Sequence, residues 1–518
     1  MESFMYSVKI LLFTLFLILV TACTKNKDDT STVEKLQSPV TFNVTREKVD
    51  NGLDNVLVSV TLADPQESVI PAVSRGGIDS FEKVDATHYS FRLIPEQTGE
   101  YKITVEADGL SYSKTVLVLQ DVADGWGQPQ MVEGLVNTEG YEDGVTITPD
   151  GEYLFVHTAP YRLSSLFVYN TSRADGGCGG SRVNPSRCEH PWINTLVGTY
   201  TAPKRPGFFD GRFNGDLQRH NALSWGLGDE EAPVFAISSM FYGFKRQADG
   251  SFAEPFYMAF DDLNDGLIGP YGLTFVKQAE GRYRTLFSHK DAYTTGGGFD
   301  IYRYDAEFGR NNNFGSYVMT SKGNPPARGT EFSSILVDLG DNNGTQGNPF
   351  IYSEAGVVKS IWTDDEYDGD ADSKKISVYL LNSGTFPESS DWRKVLLPSN
   401  VNQTGSESRQ PTYVDGQLYF TQDVNVVVSA YSGSESAAGY ADALNWSIPK
   451  TLLQKDTSYN FYAIVNSDLG KIVAVGEPTI ADYGDKRILY FVYGYIRGID
   501  PITGLADMDM QAGFIEQE

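Results

Sequence analysis

The stretch EDGVTITPDGEYLF, residues Glu142–Phe155, carries the pattern from which the fold of this chain can be argued. Apolar residues alternate with polar ones on both sides of Pro149-Asp150-Gly151, as is typical of strands with one buried face. Proline, aspartate and glycine in succession favour a tight turn. The stretch therefore predicts a β-hairpin.

Similar stretches recur along the chain, each with apolar alternation, a turn and an aromatic-rich strand. Close copies are RQPTYVDGQLYF (Arg409–Phe420) and GEPTIADYGDKRILYF (Gly476–Phe491), and looser copies lie at His220–Ser238, Gly269–Ser288 and Arg328–Ser353. Strands that begin with tryptophan precede some copies, at Trp126–Leu135, Trp392–Pro398 and Trp446–Leu453. Six copies of a roughly four-stranded unit predict a six-bladed β-propeller, because one blade cannot cover both of its own faces.

The first copy, taken with its tryptophan, has a more specific pattern, WGQPQMVEGLVNTEGYEDGVTITPDGEYLF. It resembles the repeat of the TolB-like, WD-like β-propeller family. The positions that fit are Trp126, Pro129, Asn137, Thr138, Asp143, Pro149, Asp150, Gly151, Leu154 and Phe155. Thr148 stands where the family has serine, and the later copies lack Pro-Asp-Gly. The resemblance implies a propeller over residues 125–518 and implies no particular activity.

Residues 37–120 form a separate unit with its own alternating strands, among them NVLVSVTLAD and HYSFRLIP. Within it, TGEYKITVEA resembles the late strands of immunoglobulin-like domains. The resemblance implies an N-terminal immunoglobulin-like β-sandwich, although no cysteine pair is present there. Asp121–Gly127 is the expected linker, so the predicted fold class is all-β throughout.

The N-terminal segment has the features of an export signal. Lys9 precedes the apolar run Ile10–Val20, which is short for a membrane span. The run ends in VTAC (Val20–Cys23), which resembles the lipobox of bacterial lipoproteins. This resemblance implies a signal peptide over residues 1–22 and a lipid bilayer as partner through an acylated Cys23. A plain secretory signal with an incidental cysteine is the alternative.

Residues 23–36 are polar and predict a flexible tether. Its Lys27-Asp28-Asp29 resembles the signal that sends some Bacteroidetes-type lipoproteins to the cell surface. We therefore expect an outer membrane lipoprotein that is exposed at the surface.

The two remaining cysteines, Cys178 and Cys188, bracket a glycine-rich loop and are disulfide candidates in an oxidising compartment. Together with His190 they could instead bind zinc, but no fourth ligand is evident. The net charge of −27 excludes nucleic acid as a partner, because like charges repel and the sequence contains no stripe of lysine and arginine that could bind phosphates.

In a propeller the innermost strands begin on one face of the disc, and the second strands return to it. Polar residues at these strand ends are therefore candidates for a binding or catalytic site at the channel mouth. They are Asp143, Glu142, His157, Arg162, His220, His289, Arg328, Glu331, Glu354, Arg409, Asp423 and Glu477. Arginines at such a mouth could hold a carboxylate. Alternatively, the polar residues line a channel that holds only water.

Calcium is the one candidate cofactor. Asp368, Asp370 and Asp372 alternate around a glycine and supply the hard oxygen ligands that calcium prefers. No glutamate follows at the twelfth position of an EF-hand loop, so a solvated acidic loop is the competing interpretation.

The sequence favours recognition of a glycan or an envelope protein. The first alternative is a carbohydrate-active enzyme, a glycoside hydrolase or polysaccharide lyase, since acids begin several predicted inner strands. Hydrolysis of glycosides needs two carboxyl groups roughly 5–9.5 Å apart. The nucleophile and zinc-protease motifs Gly-x-Ser-x-Gly and His-Glu-x-x-His are both missing. A structural scaffold is the remaining alternative.

Overall fold

A computed structural model shows the described residues as mostly antiparallel β-sheet with almost no helix, which confirms the predicted all-β class. It describes residues 40–159, 240–257, 271–279, 282–289, 300–311, 316–320, 335–337, 339, 346–460, 463–499 and 506–518, except positions 67–68, 108, 135, 138–140, 355, 368–369, 388, 390 and 485. Among these residues there is no helix with the length and apolar character needed to cross a bilayer.

The N-terminal unit is a two-layer sandwich. Its strands are β1 (Val40–Glu47), β2 (Asn55–Leu62), β3 (Val69–Val73), β4 (Gly77–Lys83), β5 (His88–Ile94), β6 (Gly99–Ala107) and β7 (Leu110–Val118). One layer has the order β1-β2-β5-β4, and β3, β6 and β7 form the other. Both layers alternate buried and exposed residues, and Val58, Phe91 and Ile103 meet in one core. An immunoglobulin-like topology stays a prediction.

Two short strands, β8 (Asp121–Val122) and β9 (Gln130–Met131), lead into five further sheets. The first sheet contains β10 (Tyr141–Ile147), β11 (Tyr153–Ala159), β12 (Met240–Arg246) and β13 (Phe252–Tyr257). The second contains β14 (Tyr271–Ala279), β15 (Arg282–His289), β16 (Asp300–Asn311) and β17 (Ser316–Thr320), with β18 (Ile335–Leu336) paired to β16. The third contains β19 (Gln346–Glu354), β20 (Val357–Tyr367), β21 (Asp370–Leu381) and β22 (Trp392–Leu396).

The fourth sheet contains β23 (Ser408–Val414), β24 (Gln417–Gln422), β25 (Asn425–Ala430) and β26 (Lys450–Gln454). The fifth contains β27 (Ile472–Asp482), β28 (Arg487–Ile499) and β29 (Ala506–Glu516), with β9 as its fourth strand. A short helix, α1 (Ala437–Ala441), and 3₁₀ turns at Ala443–Asn445 and Asn466–Asp468 lie between strands.

Within the described residues, four of the six predicted hairpins form, at Glu142–Phe155, Gly269–Ser288, Arg409–Phe420 and Gly476–Phe491. Ile147 pairs with Leu154 across the opening hairpin. In its turn the Thr148 hydroxyl bonds to an Asp150 carboxylate oxygen at 2.7 Å, and Gly151 adopts a φ of +68°. The tryptophan-led stretches supply the fourth strand of a sheet, namely β9 in the fifth sheet, β22 in the third and β26 in the fourth.

The first strands of the five sheets pack side by side in a closed order, β10, β14, β19, β23, β27 and β10 again. Threonines bond neighbouring strands. The Thr146 hydroxyl donates to the Leu273 carbonyl at 2.9 Å, and the Thr412 hydroxyl donates to that of Pro478 at 2.6 Å. The described residues thus form a ring of five sheets around one cavity.

This ring has one sheet fewer than the six predicted from the repeats. The copy at His220–Ser238 lies outside the described residues. The pattern at Arg328–Ser353 predicts a single hairpin, but β18 pairs with β16 while β19 begins the next sheet. One predicted unit is therefore divided between two sheets.

The segment Asp121–Gly127, predicted as a linker, is bound to both units. Directly after this segment, β9 pairs with β29 on one side and with β7 on the other. The sandwich and the fifth sheet therefore share a seven-stranded sheet. β8 extends the fourth sheet. The Arg46 guanidinium donates to the carbonyls of Val122, Ala123 and Trp126 at 3.1–3.2 Å. The sandwich is therefore fixed to the ring.

Candidate functional site

The cavity at the centre of the ring has a volume of about 540 Å³ and is lined by residues from all five first strands. This volume lies in the range of small-molecule sites, which is about 300–1,000 Å³. Its wall is mixed, with apolar residues such as Phe350 beside polar ones such as Gln410. No lysine or arginine lines it among the described residues.

Each of the five first strands carries a register shift at the same place, next to the cavity. The residue at this bulge has a left-handed backbone in every strand. These residues are Gly144, Gly272, Asn348, Gln410 and Glu477, with φ of +58°, +63°, +40°, +53° and +55°. A left-handed conformation is easy for glycine and costs other residues about 1–2 kcal/mol. In three of the five strands the residue with this less favourable backbone is not glycine. Asn348, Gln410 and Glu477 each point a polar side chain into the cavity.

Two of the predicted site residues, Asp143 and Glu477, are joined by a hydrogen bond between their carboxyl groups. The backbone N–H of Gly144 donates to one oxygen of Glu477, and the Gln410 side-chain amide donates to the other. Burial raises the pKa of Asp143. Burial and the neighbouring charge of Asp143 raise the pKa of Glu477 well above its usual value. Because two carboxylates in contact repel each other, the pair retains one proton where isolated carboxyls would be ionised.

Asp364 is a third acid at this site that the sequence did not single out. Its side chain is fully buried in β20. It accepts hydrogen bonds from the Asn348 amide at 2.7 Å and the Gln410 backbone N–H at 3.0 Å, and its other oxygen lies 3.3 Å from the Lys374 ammonium. With all three partners in place, Asp364 positions Asn348 and Gln410.

Thr421 fixes the orientation of the Gln410 side chain. Its hydroxyl donates to the Gln410 amide oxygen at 2.7 Å and accepts from the Glu477 backbone N–H at 2.8 Å. The Gln410 amide nitrogen must therefore face Glu477. Asp364 and Thr421 occupy equivalent places on their second strands, opposite Gly347 and Arg409. An alignment of the second strands of the hairpins, each placed in register with its first strand, would have identified both Asp364 and Thr421.

Two further predicted residues are buried around the Asp143 strand. Glu142 is fully buried and is not among the residues that line the cavity. Burial is the main cause that raises the pKa of Asp509 to about 8; Arg497 opposes this shift, and the charge of Glu142 adds to it. His157 lies opposite Asp143 on β11, and burial lowers its pKa to about 3. Its imidazole is therefore neutral at physiological pH.

Three other predicted residues do not join the carboxyl pair. Arg409 forms an ion pair with Glu407, and its neighbour Gln410 lines the cavity instead. Asp423 lies in an exposed turn between β24 and β25. Glu354 ends β19, at the opposite end of that strand from its bulge, and accepts a hydrogen bond from the Tyr352 hydroxyl at 2.9 Å. Glu354 therefore lines the cavity at the end away from the carboxyl pair.

The remaining predicted residues are largely outside the described structure. His289 ends β15, opposite Asp300. Asp370 and Asp372 lie in β21, and the described residues contain no group of three side chains able to hold a metal. Cys23, Arg162, Cys178, Cys188, His220, Arg328, Glu331 and Asp368 lie outside the described residues.

Comparison with known proteins gives only distant similarity. No family model and no curated protein matches the chain. Among solved structures it is similar to a protein of unknown function from Bacteroides thetaiotaomicron, with 9% identity over 93% of this chain and 99% of that one and a TM-score of 0.25. An α-L-arabinanase of Penicillium chrysogenum has 9% identity over 91% and 98%, with a TM-score of 0.26. An arabinanase of Bacillus subtilis has 14% identity over 47% and 82%, with a TM-score of 0.24. At scores this low the comparisons do not bear on the activity of this chain.

Proposed function

We propose that this protein is a lipid-anchored β-propeller of the bacterial cell envelope that binds a neutral, hydroxyl-rich ligand, the sugar of a glycan, in its central cavity. The lipobox-like VTAC ending at Cys23 supports the anchor. The cyclic order of the five first strands supports the propeller. The polar groups at the bulges support the ligand class.

Those polar groups match hydroxyls. The amides of Asn348 and Gln410 can both donate and accept, as can a protonated Glu477. A sugar hydroxyl also donates and accepts, so it can satisfy each of them. The carboxyl pair carries negative charge and no cation lines the cavity among the described residues, which disfavours an anionic ligand. The observation that carries the proposal is the retention of three polar side chains where the backbone favours glycine.

The proposal is tested on the soluble form that starts after Lys35, screened on a glycan array and measured by calorimetry. Asn348→Gly and Gln410→Gly remove the polar groups and relieve the left-handed backbone. We expect each to weaken binding of a glycan hit about tenfold or more, because one or two hydrogen bonds are lost. Asp64→Ala, at an exposed carboxylate, is the control. Unchanged affinity in both glycine variants would contradict the proposal.

Glycoside hydrolysis is the second candidate, because Glu477 holds a proton that a general acid could donate. The geometry favours binding instead. Asp143 and Glu477 are in hydrogen-bond contact, whereas the two acids of glycosidases stand roughly 5–9.5 Å apart. Asp364 is occupied by three partners and is not free to act as the second acid. Product analysis on each array hit separates the two candidates, since turnover that Asp143→Asn abolishes would establish the enzyme.

A further inference from the structure

A second cavity, of about 480 Å³, lies between the sandwich and the ring. One wall contains three consecutive residues of β1, Phe42–Val44, together with Lys114 of β7. The facing wall contains Arg246 and the turn that follows it, together with Lys486 and strand residues of the fifth sheet. We call this cavity the interdomain groove.

Arg246 is the distinctive residue of the interdomain groove. Its guanidinium lies over the ring of Tyr483, 4.0 Å from the ring centre. Its Nε is buried and has no hydrogen-bond partner among the described residues. Stacking on the ring holds the planar guanidinium in place. The Arg246 side chain lines the groove and has no hydrogen bond within the part of the chain that the structure describes. An arginine held in this way is prepared to accept a planar, bidentate anion.

No carboxylate of the groove forms an ion pair with Arg246 among the described residues. Lys486 is paired with Glu516 at 2.5 Å. Asp249 accepts hydrogen bonds from the backbone and hydroxyl of Ser251 within its own turn. Glu133 is exposed. Lys114 is half-buried on the facing wall and adds a second positive charge.

We propose that the interdomain groove is a binding site for a small, carboxylate-bearing molecule of about one or two sugar rings. Arg246 receives the carboxylate in a paired hydrogen bond, and Lys114 contributes charge from the other wall. The cavity volume sets the size of the ligand. The site is separate from the central cavity, which prefers a neutral ligand, so the two proposals can fail independently.

The probe is glucuronate, with glucose as its neutral match, titrated into the soluble chain and followed by calorimetry. We expect glucuronate to bind and glucose not to bind at this site. Arg246→Gln should weaken glucuronate binding about tenfold or more, because a charge-assisted bidentate pair is lost. Arg246→Lys keeps the positive charge but cannot form two parallel hydrogen bonds to a carboxylate. Its affinity for glucuronate should therefore lie between those of Arg246→Gln and the native protein. Lys114→Gln should have a smaller effect.

Two controls separate this site from other causes. Lys359→Gln removes an exposed lysine of the ring and should leave glucuronate binding unchanged. Gln410→Gly alters only the central cavity and should also leave it unchanged. Thermal unfolding of each variant checks that the fold persists, and Arg246→Lys provides a gentler replacement if Arg246→Gln unfolds. No glucuronate binding, full glucuronate binding by folded Arg246→Gln, or glucose binding that Arg246→Gln weakens as much as glucuronate binding would each overturn the proposal. Glucose binding that Arg246→Gln leaves unchanged belongs to the central cavity.

Discussion

The five bulges of the ring fall into two groups with nearly the same backbone. We call the strands with glycine at the bulge, β10 and β14, the glycine half, and those with a polar side chain there, β19, β23 and β27, the side-chain half. Gly144 and Gly272 have φ of +58° and +63°, while Asn348, Gln410 and Glu477 have φ of +40° to +55°. A Cβ added to Gly272 would lie 2.6 Å from the Asn348 Cα, so this position has no room for a side chain. The glycine half gives space, and the side-chain half fills that space with polar groups. Among the five bulges, a non-glycine residue therefore adopts the left-handed backbone only where its polar side chain reaches the cavity.

The side-chain half also has a support that the described part of the glycine half does not show. Asp364 holds the side chain of Asn348 and the backbone of Gln410 from one buried carboxylate. Gln410 in turn holds Glu477. These linked contacts offset the cost of the left-handed backbone at three neighbouring strands.

The most disruptive test of this comparison is Asp364→Ala. It leaves Lys374 and two donors buried without their acceptor, so the free energy of unfolding should fall by about 3–5 kcal/mol. Urea unfolding measures the change. Asp64→Ala should alter it by less than about 0.5 kcal/mol. A loss no greater than that of the control would show that Asp364 does not support the side-chain half.

Gly272→Ala tests the glycine half. The new methyl group meets both a left-handed backbone and the Asn348 backbone, and we expect a loss of about 2–4 kcal/mol. Gly109→Ala is a matched control, since Gly109 has a φ of +72° and no atom within 4 Å of an added Cβ. It should lose only about 1 kcal/mol. Equal losses in thermal or urea unfolding would mean that steric exclusion does not distinguish the glycine half.

Glu477→Gln has the smallest expected effect at pH 5, and its larger effect appears in the pH dependence of stability. The folded-state pKa of Glu477 lies well above 4.5, so between these values the folded state binds more protons than the unfolded state. Native stability should therefore fall as pH rises through this window, by up to about 1.4 kcal/mol per pH unit for one proton. Glu477→Gln should flatten that slope in urea unfolding between pH 5 and pH 8.

Asp509, with a pKa raised to about 8, should maintain part of the slope in Glu477→Gln. Glu106→Gln, at an exposed carboxyl of β6, is the control and should keep the full native slope. A Glu477→Gln slope equal to the native one would contradict a shared proton at this pair.

Local patterns predicted the strands well. The turn at Pro149-Asp150-Gly151 and the two-residue turn Asp415-Gly416 each join the strands that alternation had indicated. Patterns failed where a repeat had no short turn, as at Arg328–Ser353, because alternation alone does not show which strand begins a new sheet. Arg409 illustrates a finer error. The bulge turns Gln410 into the cavity instead, and no residue pattern around Arg409 indicates that shift.

The sequence by itself determined the all-β class, the hairpins with clear turns and the acids that begin the first and fifth inner strands. These depend on alternation and turn chemistry within about 15 residues, which a linear pattern records. Only the tertiary structure decided that five sheets close the ring, that Asp143 meets Glu477, and that Asp364 holds its neighbours. Those contacts join residues tens to hundreds of positions apart, and they depend on bulges and register that no local pattern specifies.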